Sequence, residues 1–445
     1  MFSKILVANR GEIAIRIIRS CKEMGISTVS VYSEADKDSM HVALADQSIC
    51  IGSAPATDSY LNAERIVSAA LATGAQAIHP GYGFLSESSH LAKLCETCGI
   101  AFIGPPSEII SKTGDKEIAK RIMSEAGIPV IPGSGILEDI DSAVRAAEEI
   151  GYPLMIKSRA GGGGRGIRAV KTPTEFENAF LTAAHEAVEA FGDGALFIEK
   201  QIRPAKHIEA QLLADEYGKT VCLAERECSI QRNNQKLIEE SPSTAVDKKL
   251  RAKLTQASIK AAEAVGYVNA GTVEFLLDEH GEFYFMEMNV RLQVEHAVTE
   301  QVTGIDLVKW QIRIAAGVPL DFGQEDVVIK GNSIECRINA STVGTVKFLH
   351  VPGGPNVRFD SALWTGYAVP SYYDPLLGKL IVHAATREEA IRKMHAALCE
   401  LVIDGIPNNI DEQIEFVSDE RFRSGEYYTD FVNDYEISEV NNHAI

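Results

Sequence analysis

Polar and hydrophobic side chains alternate along the segment MEMNVRLQVEH, which covers residues 286–296. Period-two alternation is typical of a half-buried β-strand, so we expect a strand whose polar side faces either water or a substrate. Because an extended chain rises ~3.3 Å per residue, Glu287 and Glu295 would lie up to ~26 Å apart on a straight strand. One small site could not use both carboxylates at that separation. Either the chain bends after Asn289, or the two polar groups lie at different depths of one cleft. We expect the bend, near residues 290–292, which returns Arg291 and Glu295 towards Glu287.

The N-terminal part of the chain has the pattern of a doubly wound α/β domain. An apolar run at residues 4–9 predicts a buried parallel strand, residues 13–24 an amphipathic helix and residues 28–32 the next strand, which together form a βαβ unit. The turn after the first strand has one glycine rather than the G-x-G-x-x-G fingerprint, so a bound NAD is not expected. Further helix and strand segments follow at residues 63–72, 76–79 and 101–104. The loop HPGYGFLSE at residues 79–87 follows a strand end, where ligands gather in open α/β sheets; an ordinary turn-rich loop explains it equally well.

After residue 106 the pattern changes to helices and closely spaced strands. Helices are predicted over residues 116–126 and 140–150, and a later one over residues 387–401. A chain of 445 residues suggests about three domains. The sequence contains no internal repeat and no low-complexity segment.

A glycine-rich loop joins two predicted strands in the middle of the chain. The strands cover residues 153–157 and 167–171, and the loop between them is SRAGGGGRG. Four successive glycines are costly to order, and bare backbone N–H groups can bind phosphate oxygens. The loop lacks the spacing and the following helix of a P-loop, so we expect a hinged lid over phosphates, with Lys157 adding an ammonium group. The alternative is a flexible surface hairpin, which would not need Lys157, Arg159 and Arg165 around it.

Two glutamates share one face of a predicted hairpin. Residues 272–277 and 282–287 are strand-like segments around the turn DEHG. With a two-residue or a four-residue loop, Glu274 and Glu287 lie on the same face, whereas an odd-length loop would separate them. Neighbouring like charges destabilise a sheet, and a shared Mg²⁺ or Mn²⁺ would remove that penalty, with Asn289 as a further oxygen ligand. Together with a phosphate-binding loop, such a site predicts phosphoryl transfer from ATP.

Charge and cysteine content narrow the class of protein. The formal net charge is −19 with no basic run, which argues against nucleic acid and anionic membranes as partners. Eight scattered cysteines do not predict a disulfide scaffold, and the C-x-x-C from Cys95 to Cys98 is better explained as part of a helix than as a metal or redox site. The chain begins with a strand rather than a signal peptide, and no apolar run reaches ~18 residues. We therefore expect a cytoplasmic protein.

Six motifs together resemble those of one enzyme family along nearly the whole chain. They are KILVANRGEI at residues 4–13, HPGYGFLSE at 79–87, GGGGRG at 161–166, ERECSIQ at 225–231, EMNVRLQVEH at 287–296 and ECRINA at 335–340. With these motifs the chain resembles biotin carboxylase, the ATP-grasp subunit of acetyl-CoA carboxylase. The resemblance implies a mixed α/β and α+β fold in three domains. They are a doubly wound α/β domain at residues 1–113, an ATP-grasp domain at 114–329 with a mobile glycine-rich lid at about 132–203, and a C-terminal α+β domain at 330–445.

The resemblance also implies a reaction, in which ATP and bicarbonate carboxylate biotin through a carboxyphosphate intermediate. The implied nucleotide site consists of Lys116, Lys157, Gly162, Gly163, Glu199, Lys200, Ile202, His207, Gln231, Asn234, Glu274 and Glu287. The implied bicarbonate contacts are Lys236, Arg291, Gln293 and Val294. The implied metal ligands are Glu274, Glu287 and Asn289.

The same resemblance implies a catalytic set, which consists of Glu295, Arg291, Arg337 and Lys236. Glu295 would be the base that deprotonates bicarbonate, Arg337 would stabilise the biotin enolate, and Tyr82 would line the biotin pocket. A carboxylate base beside a guanidinium group is a reasonable way to bind and activate a weak nucleophile. Arg337 suits a negative charge that develops only during the reaction.

The implied cofactors are ATP and Mg²⁺ or Mn²⁺, with two metal sites, and biotin is a carrier-bound substrate. The sequence has no Ala-Met-Lys-Met biotin-attachment site and no carboxyltransferase region. We therefore expect a separate biotin carboxyl carrier protein and separate carboxyltransferase subunits. The resemblance also implies a homodimer. The implied role is the first half-reaction of acetyl-CoA carboxylase in fatty acid synthesis, and the alternative is a subunit of another acyl-CoA or pyruvate carboxylase.

Two other classes of function share part of this pattern. Another ATP-grasp ligase, such as a carbamoyl-phosphate or purine-pathway enzyme, would share the glycine-rich loop but not the RLQVE segment at residues 291–295. A non-catalytic nucleotide-binding regulator would bind ATP without turnover, and the intact carboxylates of Glu274, Glu287 and Glu295 argue against it.

Three positions depart from the family pattern. Asn234 stands where histidine is frequent, and Ala297 stands where proline is common. After Ala340 the family usually has an acidic loop and a Phe-x-Pro-Ser-Pro-Gly segment, whereas this chain continues with STVGTVKF and is several residues shorter. Because this shortening is close to Arg337, biotin binding is the function on which it bears most.

Overall fold

Five parallel strands form the N-terminal sheet of the computed structural model, which describes residues 1–137, 139–159 and 166–435. The strands are β1 (Lys4–Val7), β2 (Ser27–Ser33), β3 (Gln47–Gly52), β4 (Ala77–His79) and β5 (Ala101–Phe102). Their spatial order is β3-β2-β1-β4-β5, and every pair is parallel. The order reverses between β1 and β4, so the loops after these two strands flank the crevice where such sheets bind ligands.

The helices of this region connect the parallel strands. They are α1 (Gly11–Glu23), α2 (Met40–Leu44), α3 (Ala63–Thr73), α4 (Ser89–Cys98) and α5 (Ser107–Gly114), with 3₁₀ turns at Glu34–Asp36 and Ala56–Asp58. α1 buries Ile13, Ile17 and Ile18 against the sheet and ends where Gly25 adopts a φ of 72°. The predicted doubly wound α/β fold is confirmed, with predicted and observed element bounds differing by at most two residues.

A small antiparallel sheet follows, with three helices in this part of the chain. The strands are β6 (Leu154–Ser158), β7 (Ile167–Val170) and β8 (Leu196–Lys200), in the order β7-β6-β8, and the helices are α6 (Lys116–Glu125), α7 (Ile140–Ile150) and α8 (Pro173–Phe191). Ile156, Phe176 and Ile198 form part of its buried core. The predicted strands on both sides of the glycine-rich loop are confirmed. Gly162 and Gly163 lie outside the described residues, and the mobility of the lid stays a prediction.

The remaining strands form a large antiparallel sheet and one separate pair. They are β9 (Ala205–Ala214), β10 (Thr220–Arg232), β11 (Gln235–Ser241), β12 (Asn269–Asp278), β13 (Phe283–Asn289), β14 (Asn332–Asn339), β15 (Phe348–His350), β16 (Val357–Ser361), β17 (Leu376–Ala384) and β18 (Val402–Asp404). Eight of them follow the order β13-β12-β9-β10-β11-β14-β17-β16, and β15 pairs with β18. Ile238 of β11 lies opposite Cys336 of β14, so one sheet spans the predicted boundary between residues 329 and 330. The three-domain division stays a prediction.

Within the part of the chain that the structure describes, six more helices pack around this sheet. They are α9 (Lys248–Val265), α10 (His296–Thr303), α11 (Leu307–Ala315), α12 (Arg387–Glu400), α13 (Ile410–Ser418) and α14 (Glu420–Ser424), with a 3₁₀ turn at Gln324–Asp326. The mixed α/β and α+β architecture expected from the sequence is confirmed. Among the described residues, no helix combines the length and the apolar character that crossing a bilayer requires.

The strand predicted over residues 286–296 is wrong beyond Asn289. β13 ends at that residue, and Glu295 already occupies the position before the first turn of α10. Val290 and Leu292 are buried in two different hydrophobic clusters, so the alternation reflects an irregular segment that crosses between cores. The expected bend at residues 290–292 is confirmed.

Candidate active site

A cavity of about 1430 Å³ lies where the parallel sheet, the small sheet and the large sheet meet. The loops after β1 and β4 contribute Asn9 and Tyr82, and the Asn9 amide donates to the carbonyls of Pro80 and Tyr82, both at 2.7 Å. These bonds join the two loops at the switch point of the sheet. Since single-ligand pockets span roughly 300–1,000 Å³, the cavity has room for a nucleotide and a second substrate.

Most of the residues singled out from the sequence line this cavity. They are Tyr82, Lys116, Lys157, Glu199, His207, Gln231, Asn234, Lys236, Glu274, Glu287, Asn289, Arg291, Gln293, Val294, Glu295 and Arg337. Lys200 and Ile202 are not among the described lining residues. The Lys200 ammonium instead donates to the carbonyls of Gly151 and Tyr152, at 3.1 and 2.8 Å. Any contact of this segment with a ligand in the cavity would therefore not use the Lys200 ammonium.

Glu274 and Glu287 lie opposite each other on β12 and β13. The strand register that pairs them differs from both predicted registers, which assumed a two-residue or a four-residue loop. Leu277 pairs with Phe283, so the loop between them has an odd number of residues. A regular hairpin with this loop would place the two carboxylates on opposite faces of the sheet. The register then shifts by one residue, with Met286 as the extra residue of β13, and Glu274 pairs with Glu287. A β-bulge of this kind turns the side chains that follow it. The bulge, rather than the loop length, brings the two carboxylates together.

Lys236 is the centre of the charge network in the cavity. Its ammonium lies 2.6 Å from Glu209, 2.9 Å from Glu274 and 2.7 Å from Glu295. Burial disfavours the charged form, but the three carboxylates outweigh it, and the pKa of Lys236 is raised well above its ordinary value. The lysine is therefore cationic, and two of its three carboxylate partners also pair with an arginine, Glu209 with Arg226 and Glu295 with Arg337.

Glu295 is held between two cations at the start of α10. Its carboxylate accepts from Lys236 at 2.7 Å and from the Arg337 guanidinium at 2.9 Å, and the residue is 2% exposed. Burial raises the pKa of Glu295, but Lys236, Arg337 and Arg226 together hold it well below its ordinary value. The carboxylate is ionised at neutral pH, which is the state that a proton acceptor needs.

A fully buried arginine supports the loop that leads to Glu295. Arg226, on β10, pairs with Glu209 and donates to the Gln293 amide oxygen and to the Thr299 hydroxyl, both at 2.8 Å. Gln293 in turn donates to Glu274 at 2.6 Å. Arg226 thus connects the large sheet with the irregular segment and with α10.

Arg291 lies just after the bend. Its guanidinium donates to the Asn289 amide oxygen at 3.0 Å and to the Leu292 carbonyl at 3.2 Å, and it lies 3.5 Å from the Glu87 carboxylate. The side chain is 22% exposed. A partly exposed guanidinium on the cavity wall is suited to binding a small oxyanion.

The two opposed carboxylates have different environments. Glu274 is buried, and although burial raises its pKa, Lys236 and His207 hold the pKa well below its ordinary value. Glu287 is 43% exposed at its side chain and lies 3.8 Å from Lys116. Burial and the Glu274 charge raise the pKa of Glu287, and a divalent cation between the two would relieve that repulsion.

The donor set around these carboxylates fits a hard cation. Two carboxylates on adjacent strands supply the oxygen ligands that Mg²⁺ and Mn²⁺ prefer. The third predicted ligand, Asn289, donates its amide N–H to Glu274 at 3.0 Å, and its oxygen accepts from Arg291. In this arrangement, the Asn289 oxygen would have to leave Arg291 to reach an ion.

The opposite wall of the cavity carries a second charge cluster. Glu199 of β8 accepts from Lys120 at 2.9 Å and pairs with Lys157. Burial raises the pKa of Glu199, but the two lysines lower it below its ordinary value. On the large sheet itself, the side-chain amide of Gln231 on β10 lies 2.8 Å from the ring of His207 on β9.

The comparisons with known proteins cover the chain almost completely. Family models described as "Biotin carboxylase, N-terminal domain", "Carbamoyl-phosphate synthase L chain, ATP binding domain" and "Biotin carboxylase C-terminal domain" match residues 1–110, 115–322 and 335–434. Biotin carboxylase 1 of Bacillus subtilis is 51% identical, with 98% of this chain and 99% of that protein covered. The chain belongs to the biotin carboxylase family. The resemblance drawn from the motifs is therefore confirmed, and the enzyme class is an ATP-dependent ligase.

Biotin carboxylases of different parent enzymes are similar to this chain. A pyruvate carboxylase subunit of Methanothermobacter thermautotrophicus is 49% identical, with 98% of this chain and 90% of that protein covered. The biotin carboxylase domain dimer of the Hydrogenobacter thermophilus 2-oxoglutarate carboxylase, solved with MgADP, ADP and bicarbonate, has a TM-score of 0.93 at 49% identity, with 98% of each chain covered. Relatives named for different carboxyl acceptors are thus equally similar to this chain.

The segment after β14, which we expect to be shorter than in the family, is held in place at both ends. The Ser341 N–H donates to the Pro407 carbonyl at 2.8 Å, and the Val369 N–H donates to the Gly344 carbonyl at 2.9 Å. The connection from β14 is therefore anchored to neighbouring loops.

Sequence reasoning missed several charged residues that support the site. Lys120, Glu209 and Glu239 each contact a predicted site residue directly, as does Arg226. A signal for Arg226 was present, because ERECSIQ places charges within a segment of strand character and buried charges need partners. The identity of those partners depends on pairing between distant strands.

Proposed function

We propose that the chain catalyses ATP-dependent carboxylation of biotin on a carrier protein, with bicarbonate as the carbon source and carboxyphosphate as the intermediate. The observation that carries the proposal is the Glu295 carboxylate, buried and ionised between Lys236 and Arg337 in one cavity with a carboxylate pair suited to a divalent cation. This arrangement combines a proton acceptor, cations for an anionic substrate and a site for a nucleotide.

In the proposed reaction, bicarbonate binds beside Lys236, Arg291, Gln293 and Val294 and loses its proton to Glu295. The carbonate oxygen attacks the terminal phosphorus of ATP, and ADP leaves. A low pKa makes Glu295 a weak base, but an anion next to it would raise that pKa by Coulomb repulsion. Binding of the substrate would thus itself prepare the base.

For the second step, we propose that Arg337 stabilises the enolate form of biotin while Tyr82 lines the biotin pocket. Arg337 already contacts Glu295 at 2.9 Å and Glu239 at 2.6 Å. A guanidinium held in place by two carboxylates is oriented before the reaction starts, which is what electrostatic stabilisation of a developing negative charge requires.

We propose that ATP and Mg²⁺ or Mn²⁺ are the cofactors, with Glu274, Glu287 and Asn289 as metal ligands and two ions in all. The remaining proposed nucleotide contacts are Lys116, Lys157, Gly162, Gly163, Glu199, Lys200, Ile202, His207, Gln231 and Asn234. The metal would supply charge neutralisation for phosphoryl transfer. The MgADP and bicarbonate in the Hydrogenobacter structure support this assignment.

The proposed setting is the first half-reaction of acetyl-CoA carboxylase in fatty acid synthesis, in the cytoplasm. A biotin carboxyl carrier protein and carboxyltransferase subunits would be separate chains, and the enzyme would be a homodimer. A second candidate is a subunit of another acyl-CoA or pyruvate carboxylase, which the 49% identity to a pyruvate carboxylase subunit supports.

One assay tests the reaction itself. ATP cleavage is measured with bicarbonate, in the presence and absence of free biotin, and we expect biotin to stimulate it. Absence of stimulation would refute the proposed function. To separate the two settings, carboxyl transfer from labelled bicarbonate is measured on purified biotinylated carriers of acetyl-CoA carboxylase and pyruvate carboxylase. The carrier that is labelled faster identifies the parent enzyme.

A further inference from the structure

A lysine with no exposed surface lies directly beneath the segment that carries Glu295. Lys379 of β17 is paired across the sheet with Arg337 of β14, and its ammonium donates to the Val294 carbonyl at 2.6 Å. Directly paired residues project from the same face of a sheet. Arg337 and Lys379 therefore bind consecutive residues, the first through the Glu295 carboxylate and the second through the Val294 carbonyl.

The ammonium of Lys379 also balances buried carboxylates. It lies 3.5 Å from Glu12 of α1, and within the described structure neither oxygen of Glu12 nor of Glu335 accepts a hydrogen bond. Asp360 is close by and is itself paired with Arg358 at 2.6 Å. Because a buried charge needs partners, these acids are the counter-charges of the Lys379 ammonium, and they outweigh burial and raise the pKa of Lys379.

Lys379 reaches the opposite wall of the cavity as well. Its ammonium lies 5.9 Å from the centre of the Tyr82 ring, within cation–π range. Tyr82 and Glu12 both line the cavity. One buried cation thus contacts the segment beside the base, the first turn of α1 and the loop after β4.

We propose that Lys379 is a positioning residue, which holds the Val294 carbonyl so that the next residue presents its carboxylate to bicarbonate between Lys236 and Arg337. The proposal rests on the proposed function, since it concerns the same base. Without the ammonium, the segment between the bend and α10 would lose its contact with β17. A displacement of about 1 Å in a reacting group lowers the rate by roughly 100-fold.

The test compares two buried lysines in the full-length chain. Lys379→Met removes the cation, and the double variant Glu12→Gln/Lys379→Met removes the carboxylate that would be left unbalanced. The matched control is Lys206→Met/Glu227→Gln, because Lys206 is also buried, pairs with Glu227 at 2.7 Å and donates to the Gly425 carbonyl at 2.9 Å. Neither control residue lines the cavity.

Three quantities are measured for each protein: Tm, the Kd for ATP, and kcat for bicarbonate-dependent ATP cleavage. We expect Glu12→Gln/Lys379→Met to recover Tm relative to Lys379→Met, to keep its affinity for ATP and to have a kcat roughly 100-fold below that of the unaltered enzyme. The control should lose Tm and keep its kcat.

Each other outcome overturns the proposal. A kcat that recovers together with Tm, or that falls only in proportion to ATP binding, would make Lys379 a structural residue. The same conclusion holds if neither Lys379 variant folds while the control does. Failure of the proposed function is distinguishable, because it would appear as absent biotin stimulation in the unaltered enzyme.

Discussion

Replacement of Glu295 by glutamine removes the charge of the base and keeps the size of its side chain. The carboxylate makes two charge-assisted hydrogen bonds, with Lys236 at 2.7 Å and Arg337 at 2.9 Å. A glutamine has one acceptor oxygen, so it can keep only one of these bonds, and its amide N–H group would face the other cation. Hydrogen bonds to charged groups contribute about 1.5–3 kcal/mol each.

Glu295→Gln should cost only limited stability, because Lys236 and Arg337 each keep at least one other carboxylate partner. Lys236 also binds Glu209 and Glu274, and Arg337 also binds Glu239. Breaking a buried ion pair costs about 3–5 kcal/mol when it leaves one charge alone. Since neither cation is left alone, we expect Glu295→Gln to lower the free energy of unfolding by at most about 3 kcal/mol.

The expected loss of activity is larger. Removal of a general base lowers the rate by about 100- to 10,000-fold. ATP should still bind to Glu295→Gln, because Lys116, Lys157 and Glu199 lie on other walls of the cavity. Phosphate release at saturating ATP and bicarbonate measures kcat, and equilibrium binding of a fluorescent ATP analogue measures affinity.

A matched control separates the loss of the base from the loss of a buried charge. Glu240→Gln also neutralises a buried glutamate on a strand of the large sheet, where it pairs with Arg387 at 2.7 Å outside the cavity lining. We expect the control to lose stability and to keep its kcat. Unchanged phosphate release by Glu295→Gln, or an equal loss in both variants, would refute the assignment of Glu295 as the base.

Three further predictions follow from the charge network. Glu287→Gln should raise the Mg²⁺ concentration for half-maximal ATP cleavage, and an unchanged Mg²⁺ titration would contradict the carboxylate pair as the metal site. Arg226→Met should lower the free energy of unfolding in urea by about 3–5 kcal/mol, because Glu209 keeps Lys236 but the buried oxygens of Gln211, Gln293 and Thr299 lose their charged donor. A loss below about 1 kcal/mol would mean that these oxygens find other donors. Burial raises the pKa of Glu12 from 4.5 to about 7, so Glu12 keeps its proton to a higher pH in the folded state than in the unfolded state. The stability that this protonated Glu12 contributes is complete below pH 4.5 and is lost as the pH rises through about 7. The Tm should therefore decline between pH 4.5 and 7, and Glu12→Gln should remove this decline. If the variant and the unaltered protein have the same Tm profile in this range, Glu12 is ionised in the folded protein.

Much of the fold could be predicted because local patterns determine its elements. The apolar run of β1, the amphipathic face of α1 and the left-handed Gly25 after that helix are each a local signal. Where the pattern failed, the cause was not local. Val290 and Leu292 are buried in different clusters, and period-two burial of this kind does not require an extended strand.

The prediction that Glu274 and Glu287 face each other is correct, but the predicted strand register between them is wrong. Parity arguments treat a hairpin as regular, and the bulge at Met286 breaks that regularity between the loop and Glu287. The pairing of Glu274 with Glu287 therefore had to come from two irregularities that cancel. A local sequence pattern cannot specify where a bulge lies, because its position depends on how both strands pack against the rest of the sheet.

The supporting residues of the site required information about strands far apart in the chain. Arg337 meets Glu239 across 98 positions, and Lys379 meets Val294 across 85. A charged side chain within a buried strand does indicate that a partner exists, because burial of an unpaired charge is too costly. Arg226, Lys236 and Lys379 are such residues, and the pairing of β14 with β11 and β17 decides which acids lie beside them.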